Sequence, residues 1–262
     1  MKLHRINGLL IRHLYLYRRS FPRLMDLFYW PVMDILLWGF LSIYLEKFNL
    51  GAISALTVLL GAIIFWDLLN QSQKAVSIAF LEDVWERNLL NIFVTPLRLS
   101  EFLMSTFLLG FVRITIVSVI MAALSFVFYR FNIFQFGFAI IPFAANLLVF
   151  GWTLGIFTTG LILRHGTAAQ ILAFGFILLI QPFTAVFYPV SSLPSFLQPI
   201  AYLFPSTYVF EGMREVARTG TLSQFNIVWG LVSNLAWAIA TLYYFNYCFA
   251  NAKKRAALMR LD

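Results

Sequence analysis

Six long apolar runs set the limits on what this chain of 262 residues can become. They fall near 27–46, 53–72, 102–128, 136–163, 168–188 and 225–250. Each is close to or above the roughly 20 residues a helix needs to cross hydrocarbon. Hydrophobic residues make up 61% of the chain and charged residues 11%, against about 25% charged in globular domains. A water-soluble fold has nowhere to bury so much apolar surface. Inside a bilayer the backbone must bond to itself, so each run predicts a helix. The expected fold class is all-α, a polytopic membrane protein of six transmembrane helices forming a single domain, 1–262. Trp30, Trp38, Tyr44, Trp66, Tyr129, Trp152, Trp229 and Tyr247 lie mostly toward run ends, as interfacial anchors do.

Residues 1–24 lack the continuous apolar core of a cleavable leader. Leu3, Ile6, Leu10, Leu14 (or His13), Tyr17, Phe21 and Leu24 recur at helical spacing, with Lys2, Arg5, Arg12, Arg19 and Arg23 largely on another face. That pattern predicts an amphipathic helix lying in a membrane interface. An even span count puts both termini on one side. That side then holds fourteen of the nineteen Lys and Arg residues. The other side holds Lys47, Arg130, Arg214 and Arg218, and Arg113 falls inside a span. The positive-inside bias predicts cytoplasmic termini. The net charge of +8 is then explained by topology and contact with anionic membrane lipid, with no need for nucleic acid.

The predicted cytoplasmic loop between spans two and three, 74–102, carries the polar cluster Glu82, Asp83, Glu86, Arg87 and Asn88. Val84, Leu89, Ile92 and Phe93 add an apolar stripe at helical spacing, and Thr95-Pro96 ends it. A short helix over about 82–94 suits docking into a groove of a soluble partner.

Between Gln181 and Arg218 the chain stays apolar, yet Pro182, Pro189, Pro194, Pro199 and Pro205 break it. Proline removes a donor and ends helices, so this stretch cannot be one span. Counting spans places it on the outer side, as short re-entrant helices over 189–214 packed against protein. Ser206 or Thr207 is the expected cap of the last piece. Glu211, Arg214, Glu215 and Arg218 are spaced for ion pairs.

Arg113, well inside the third run, is a pathway residue or half of a structural ion pair, with Asp34 and Asp67 as candidate partners. Asn146, Gln181 and Asn234 read as interhelical hydrogen-bonding groups. The lone cysteine, Cys248, excludes an intrachain disulfide framework. His4, His13 and His165 are not placed to hold haem between spans, and no metal site or catalytic residue is expected. No Gly-x-x-x-x-Gly-Lys-Ser/Thr phosphate loop occurs in these residues, so no cofactor is expected on this chain.

Three features together resemble the permeases of ABC-2 type ATP-binding-cassette transporters. They are the basic amphipathic N-terminus, the Glu-rich loop ending in Thr95-Pro96-Leu97-Arg98, and the run from Tyr188 to Arg214. The resemblance implies a non-catalytic subunit of an inner-membrane exporter that moves a drug, lipid or lipid-linked glycan. It implies a second permease copy and two copies of a separate ATPase that binds ATP and Mg. Helix 82–94 would be the coupling helix on that ATPase, with Glu82, Asp83, Glu86, Arg87 and Asn88 at the contact. Segment 189–214 would be the outer gate, with Tyr188, Pro189, Pro194, Pro205, Glu211 and Arg214 shaping it. Two readings compete. A twin-arginine-translocase-like subunit is resembled by Arg12-His13-Leu14, but Tyr15-Leu16-Tyr17 departs from it. A membrane-embedded transferase would need an acid pair, of which Asp26 and Asp34 are the best.

Overall fold

A computed structural model describes residues 2–48, 54–85, 97 and 99–254. Among them there is helix and turn but no strand. The helices are α1 (Leu3–Arg19), α2 (Phe21–Glu46), α3 (Ala55–Trp85), α4 (Leu99–Tyr129), α5 (Ile140–His165), α6 (Ile171–Ile180), α7 (Gln198–Ala201), α8 (Pro205–Thr219) and α9 (Gln224–Lys254). Five stretches are long and apolar enough to cross a membrane: 21–46, 55–85, 100–129, 133–165 and 224–252.

The predicted N-terminal helix over 1–24 is two elements. Ser20 is extended between α1 and α2, and Pro22 sits in the first turn of α2. A proline there loses a donor that has no intrahelical partner anyway, so it starts a helix well. The inward stripe of α1 runs through Ile6 and His13, both buried. Leu3, Ile11, Leu14 and Tyr15 point outward instead.

α3 is the central helix, buried along most of its length. The polar run Asn70-Gln71-Ser72-Gln73-Lys74 reads as an exit from the membrane, but the helix continues to Trp85. Some of its polar side chains find partners within the helix or in neighbouring helices, which lowers the cost of burying them. Ser72 Oγ donates to the Leu68 carbonyl at 2.7 Å. Gln73 Nε2 donates to Ser77 Oγ at 3.1 Å and to the Ala173 carbonyl of α6 at 3.2 Å. α5 crosses α3 at close range. A Cβ on Gly151 would lie 2.3 Å from the Ser72 Cβ, and one on Gly155 would lie 2.7 Å from the Val76 Cβ. Asn234 of α9 donates to the Asn146 carbonyl of α5 at 2.8 Å, an interhelical bond of the expected kind.

The fifth predicted span, 168–188, is a correction. Its helix covers only Ile171–Ile180, followed by a 3-10 turn at Gln181–Phe183. Pro182 has no N–H to give, and Ala185 takes a positive φ of 51°. The Gln181 carbonyl accepts from the Thr184 amide at 3.3 Å.

The bundle has two distinct ends. At one, α1 meets the C-terminal part of α3 and the start of α4, and Leu9 packs with Val84, Phe102, Cys248 and Ala252. At the other, α8 packs near the starts of α3 and α5, with Gly212 against Phe143 and Gly61 against Met213.

Candidate functional site

At the α1 end, three acids sit on inward-facing turns of α3 and α4. Glu82, Asp83 and Glu101 are all buried. A buried carboxylate costs several kcal/mol unless it is paired. The basic N-terminal elements supply the partners. Arg12 reaches Asp83 at 2.8 Å, Arg23 reaches Glu82 at 2.9 Å and Arg5 reaches Glu101 at 3.5 Å. The Lys2 backbone amide also donates to Glu101 at 2.8 Å. Glu82 and Asp83 therefore face α1 and α2. Glu86, Arg87 and Asn88, with the part of the predicted helix over 86–94, lie outside the described residues.

Further along α4, Arg113 is buried. Its expected partners were Asp34 or Asp67, but the carboxylate it meets is Asp26, at 3.6 Å. It also donates to Gln71 Oε1 at 3.0 Å and to the Tyr17 hydroxyl, with its guanidinium 5.0 Å from the Tyr17 ring centre. The correction has a simple cause. Lys2 and Arg5 meet Glu101 while Tyr17 meets Arg113, so α1 runs alongside the first half of α4. It thereby delivers the start of α2, with Asp26, to the level of Arg113. Asp34 stands about two turns beyond.

At the α8 end, Glu211 and Arg214 pin the proline-broken segment to a regular helix. Arg214 donates to the carbonyls of Ala185 at 2.8 Å and Val186 at 3.2 Å, and pairs with Glu211 at 3.0 Å. Glu211 accepts in turn from the Val190 amide at 2.6 Å. One ion pair thus satisfies three backbone groups that the broken helix leaves open. The rest of the expected i,i+3 and i,i+4 set differs: Glu215 accepts from Asn226 at 2.9 Å.

The prolines mark the joints. Pro189 precedes the 3-10 turn Val190–Ser192, the Pro194 carbonyl accepts from the Leu197 amide at 2.8 Å, and Pro205 opens α8. The Tyr188 hydroxyl donates to the Pro182 carbonyl. The Phe187 ring stacks on Trp38 of α2 at 3.9 Å. Neither Ser206 nor Thr207 caps α8, because Phe204 holds the cap position. Thr207 instead donates to the Ala201 carbonyl at 2.6 Å and fastens α7 to α8.

Two further signals in the sequence bear on this arrangement. Gly151-x-x-x-Gly155 is the small-residue spacing that lets two helices approach closely. Glu101, three residues past Arg98, is the acid that receives the N-terminus.

Among curated proteins the chain finds no match. Against family models, residues 13–217 match the ABC-2 type transporter. That stretch runs from within α1 to the last turn of α8. It takes in the Arg12-adjacent helix face, the buried acids of α3 and the Glu211–Arg214 pin. The match covers most of the chain, which is therefore a membrane permease belonging to the ABC-2 type transporter family.

Proposed function

We propose that this permease is the membrane half of an ATP-driven exporter for a hydrophobic or amphipathic compound. The observation that carries the reading is the family match across 13–217. Two copies form the pathway, and a separate ATP-binding-cassette ATPase, holding ATP and Mg, drives it. The termini face the cytoplasm of the inner membrane, in line with the bias of Lys and Arg to that side. The fifth crossing is made by α6 together with the broken segment that follows. The α3 extension and the residues after it, including Glu82, Asp83, Glu86, Arg87 and Asn88, take up the motion of the ATPase. The segment pinned by Glu211 and Arg214 closes the exit. Tyr188, Pro189, Pro194 and Pro205 set its joints. The motion is a rigid-body switch biased by the partner's nucleotide state.

Affinity purification from the native membrane tests the partnership. The expected result is an ATP-binding-cassette subunit recovered with the permease, and ATP-dependent movement of a fluorescent amphiphile after reconstitution. Recovery of the permease with no nucleotide-binding subunit would overturn the ATP-driven reading.

A further inference from the structure

Two cavities lie beside α8 and α9 and differ in character. The first, about 500 Å³, is the more polar, with Glu215, Arg218 and Asn226 in its wall. The second, about 580 Å³, is apolar, with Tyr208, Trp229, Val232 and Ala240 in its wall. Tyr202 lines both. Ring contacts continue the link, from Tyr202 to Tyr208 at 5.6 Å, to Phe225 at 6.4 Å and to Trp229 at 6.1 Å.

Their order along α9 is informative. The polar cavity sits at its first residues, around Phe225 and Asn226, and the apolar one follows from Trp229 to Ala240. Residues 226, 229, 233, 237 and 240 recur at helical spacing, so the two cavities form one stripe. The apolar part spans about 17 Å at 1.5 Å per residue. Two of the polar side chains in that part are satisfied within the protein. Ser233 Oγ and Trp237 Nε1 both donate to the Leu203 carbonyl, at 2.8 and 2.9 Å. Most of the surface that remains is carbon.

Charge then selects the headgroup. Glu211 and Arg214 are engaged with each other and with the segment backbone. One oxygen of Glu215 accepts from Asn226. Arg218 is exposed and has no carboxylate partner among the described residues. The cavity thus offers one free cation beside one carboxylate with spare acceptor capacity.

We propose that the two cavities form a single site for one membrane phospholipid with a zwitterionic headgroup. Its phosphate meets the Arg218 guanidinium, which favours phosphate by charge and by its fork of donors. Its ammonium meets Glu215 and the faces of Tyr202 and Phe225, which attract cations. One acyl chain fills the groove from Trp229 to Ala240. The site holds whether or not the exported compound is itself a lipid.

Native mass spectrometry of the delipidated full chain in mild detergent tests this, with phosphatidylethanolamine and phosphatidylglycerol as the probes. The expected result is one retained phosphatidylethanolamine at concentrations where phosphatidylglycerol is lost. Arg218→Ala should lower its retention about tenfold, the worth of one hydrogen bond to a charged group. Arg218→Lys keeps the charge but loses the fork, so it should restore only part of it. Glu215→Gln keeps an acceptor for Asn226 and should abolish the preference between the two lipids. Trp229→Ala should weaken both lipids alike. Equal retention of the two lipids by the unaltered chain would overturn the proposal. So would retention indifferent to Arg218→Ala and Glu215→Gln. A groove covered by a second copy would show as a dimer lost in Trp229→Arg with lipid retention unchanged, and that too would overturn it.

Discussion

Arg12 of α1 and Asp83 of α3 meet at 2.8 Å, with the Asp83 side chain only 1% exposed. The contact is an ion pair by distance and not an aligned hydrogen bond, so its worth lies in charge more than in direction. Because the Arg12 side chain is 30% exposed, removing one partner should cost less than the roughly 3–5 kcal/mol of a fully buried pair. Asp83→Arg should therefore lower the unfolding temperature of the detergent-solubilised chain sharply, through repulsion of Arg12. The swap Arg12→Asp with Asp83→Arg should recover part of the loss. A double-mutant cycle should return a coupling of about 1–3 kcal/mol. Strict additivity would mean that the Arg12–Asp83 contact does not help to hold the N-terminal helix.

Glu211 and Arg214 pin the stretch from Ala185 to Val190 through backbone groups, so their effect should be local. Arg214→Ala strands two carbonyls and a half-buried carboxylate. The expected cost is about 2–4 kcal/mol. Hydrogen exchange should rise over residues 184–192 and stay unchanged in α5. Arg214→Lys keeps the charge but loses the fork that reaches both carbonyls, so it should rescue only part. Glu211→Gln retains an acceptor for the Val190 amide and should cost less than Glu211→Ala.

Much of this arrangement was readable from residue order. The apolar runs locate α2, α4, α5 and α9, because lipid permits few alternatives to helix. The spacing of Glu211 and Arg214 announces their pair, since residues three apart share a helix face. Other features depend on tertiary context. The run Asn70–Lys74 looks like a membrane exit until Thr158 of α5 and the Ala173 carbonyl of α6 supply partners for Gln73. Arg113 finds Asp26 only because α1 carries the start of α2 alongside α4. Glu82 and Asp83 resemble an outward polar cluster until the basic helix that covers them is in place. Proline positions show where the broken segment must turn, but not that Arg214 would hold the turns.

The crossing of α3 and α5 has no room for side chains at Gly151 and Gly155. A Cβ on Gly151 would meet the Leu69 carbonyl at 2.7 Å, and one on Gly155 would meet the Gln73 carbonyl at 2.8 Å. Backbone cannot yield as a flexible side chain can. Overpacking a tight core commonly costs about 1–3 kcal/mol. Gly151→Ala should therefore destabilise, and Gly151→Val more so, with loss of monodisperse protein on size exclusion. Gly175, on α6, has nothing near its missing Cβ, so Gly175→Ala is the matched control and should be tolerated. Equal behaviour at 151 and 175 would mean that the helices can separate at little cost.

Cys248 provides a built-in reporter of the end where α1 docks. It is the sole cysteine of the chain, 3% exposed, in a cluster with Phe102, Leu163 and Phe245. A maleimide fluorophore should label it slowly in the folded chain, because reaction requires local opening. Each 1.4 kcal/mol lost from that end raises the open population about tenfold. Asp83→Arg should speed labelling accordingly, since the cluster that buries Cys248 includes Val84, one residue from the broken pair. Arg214→Ala acts at the other end of the bundle and should leave the labelling rate close to that of the unaltered chain. Acceleration by both substitutions alike would show that the two ends open as one cooperative unit. The rates measured for the pair of variants therefore separate a latch confined to the α1 end from global loosening of the bundle.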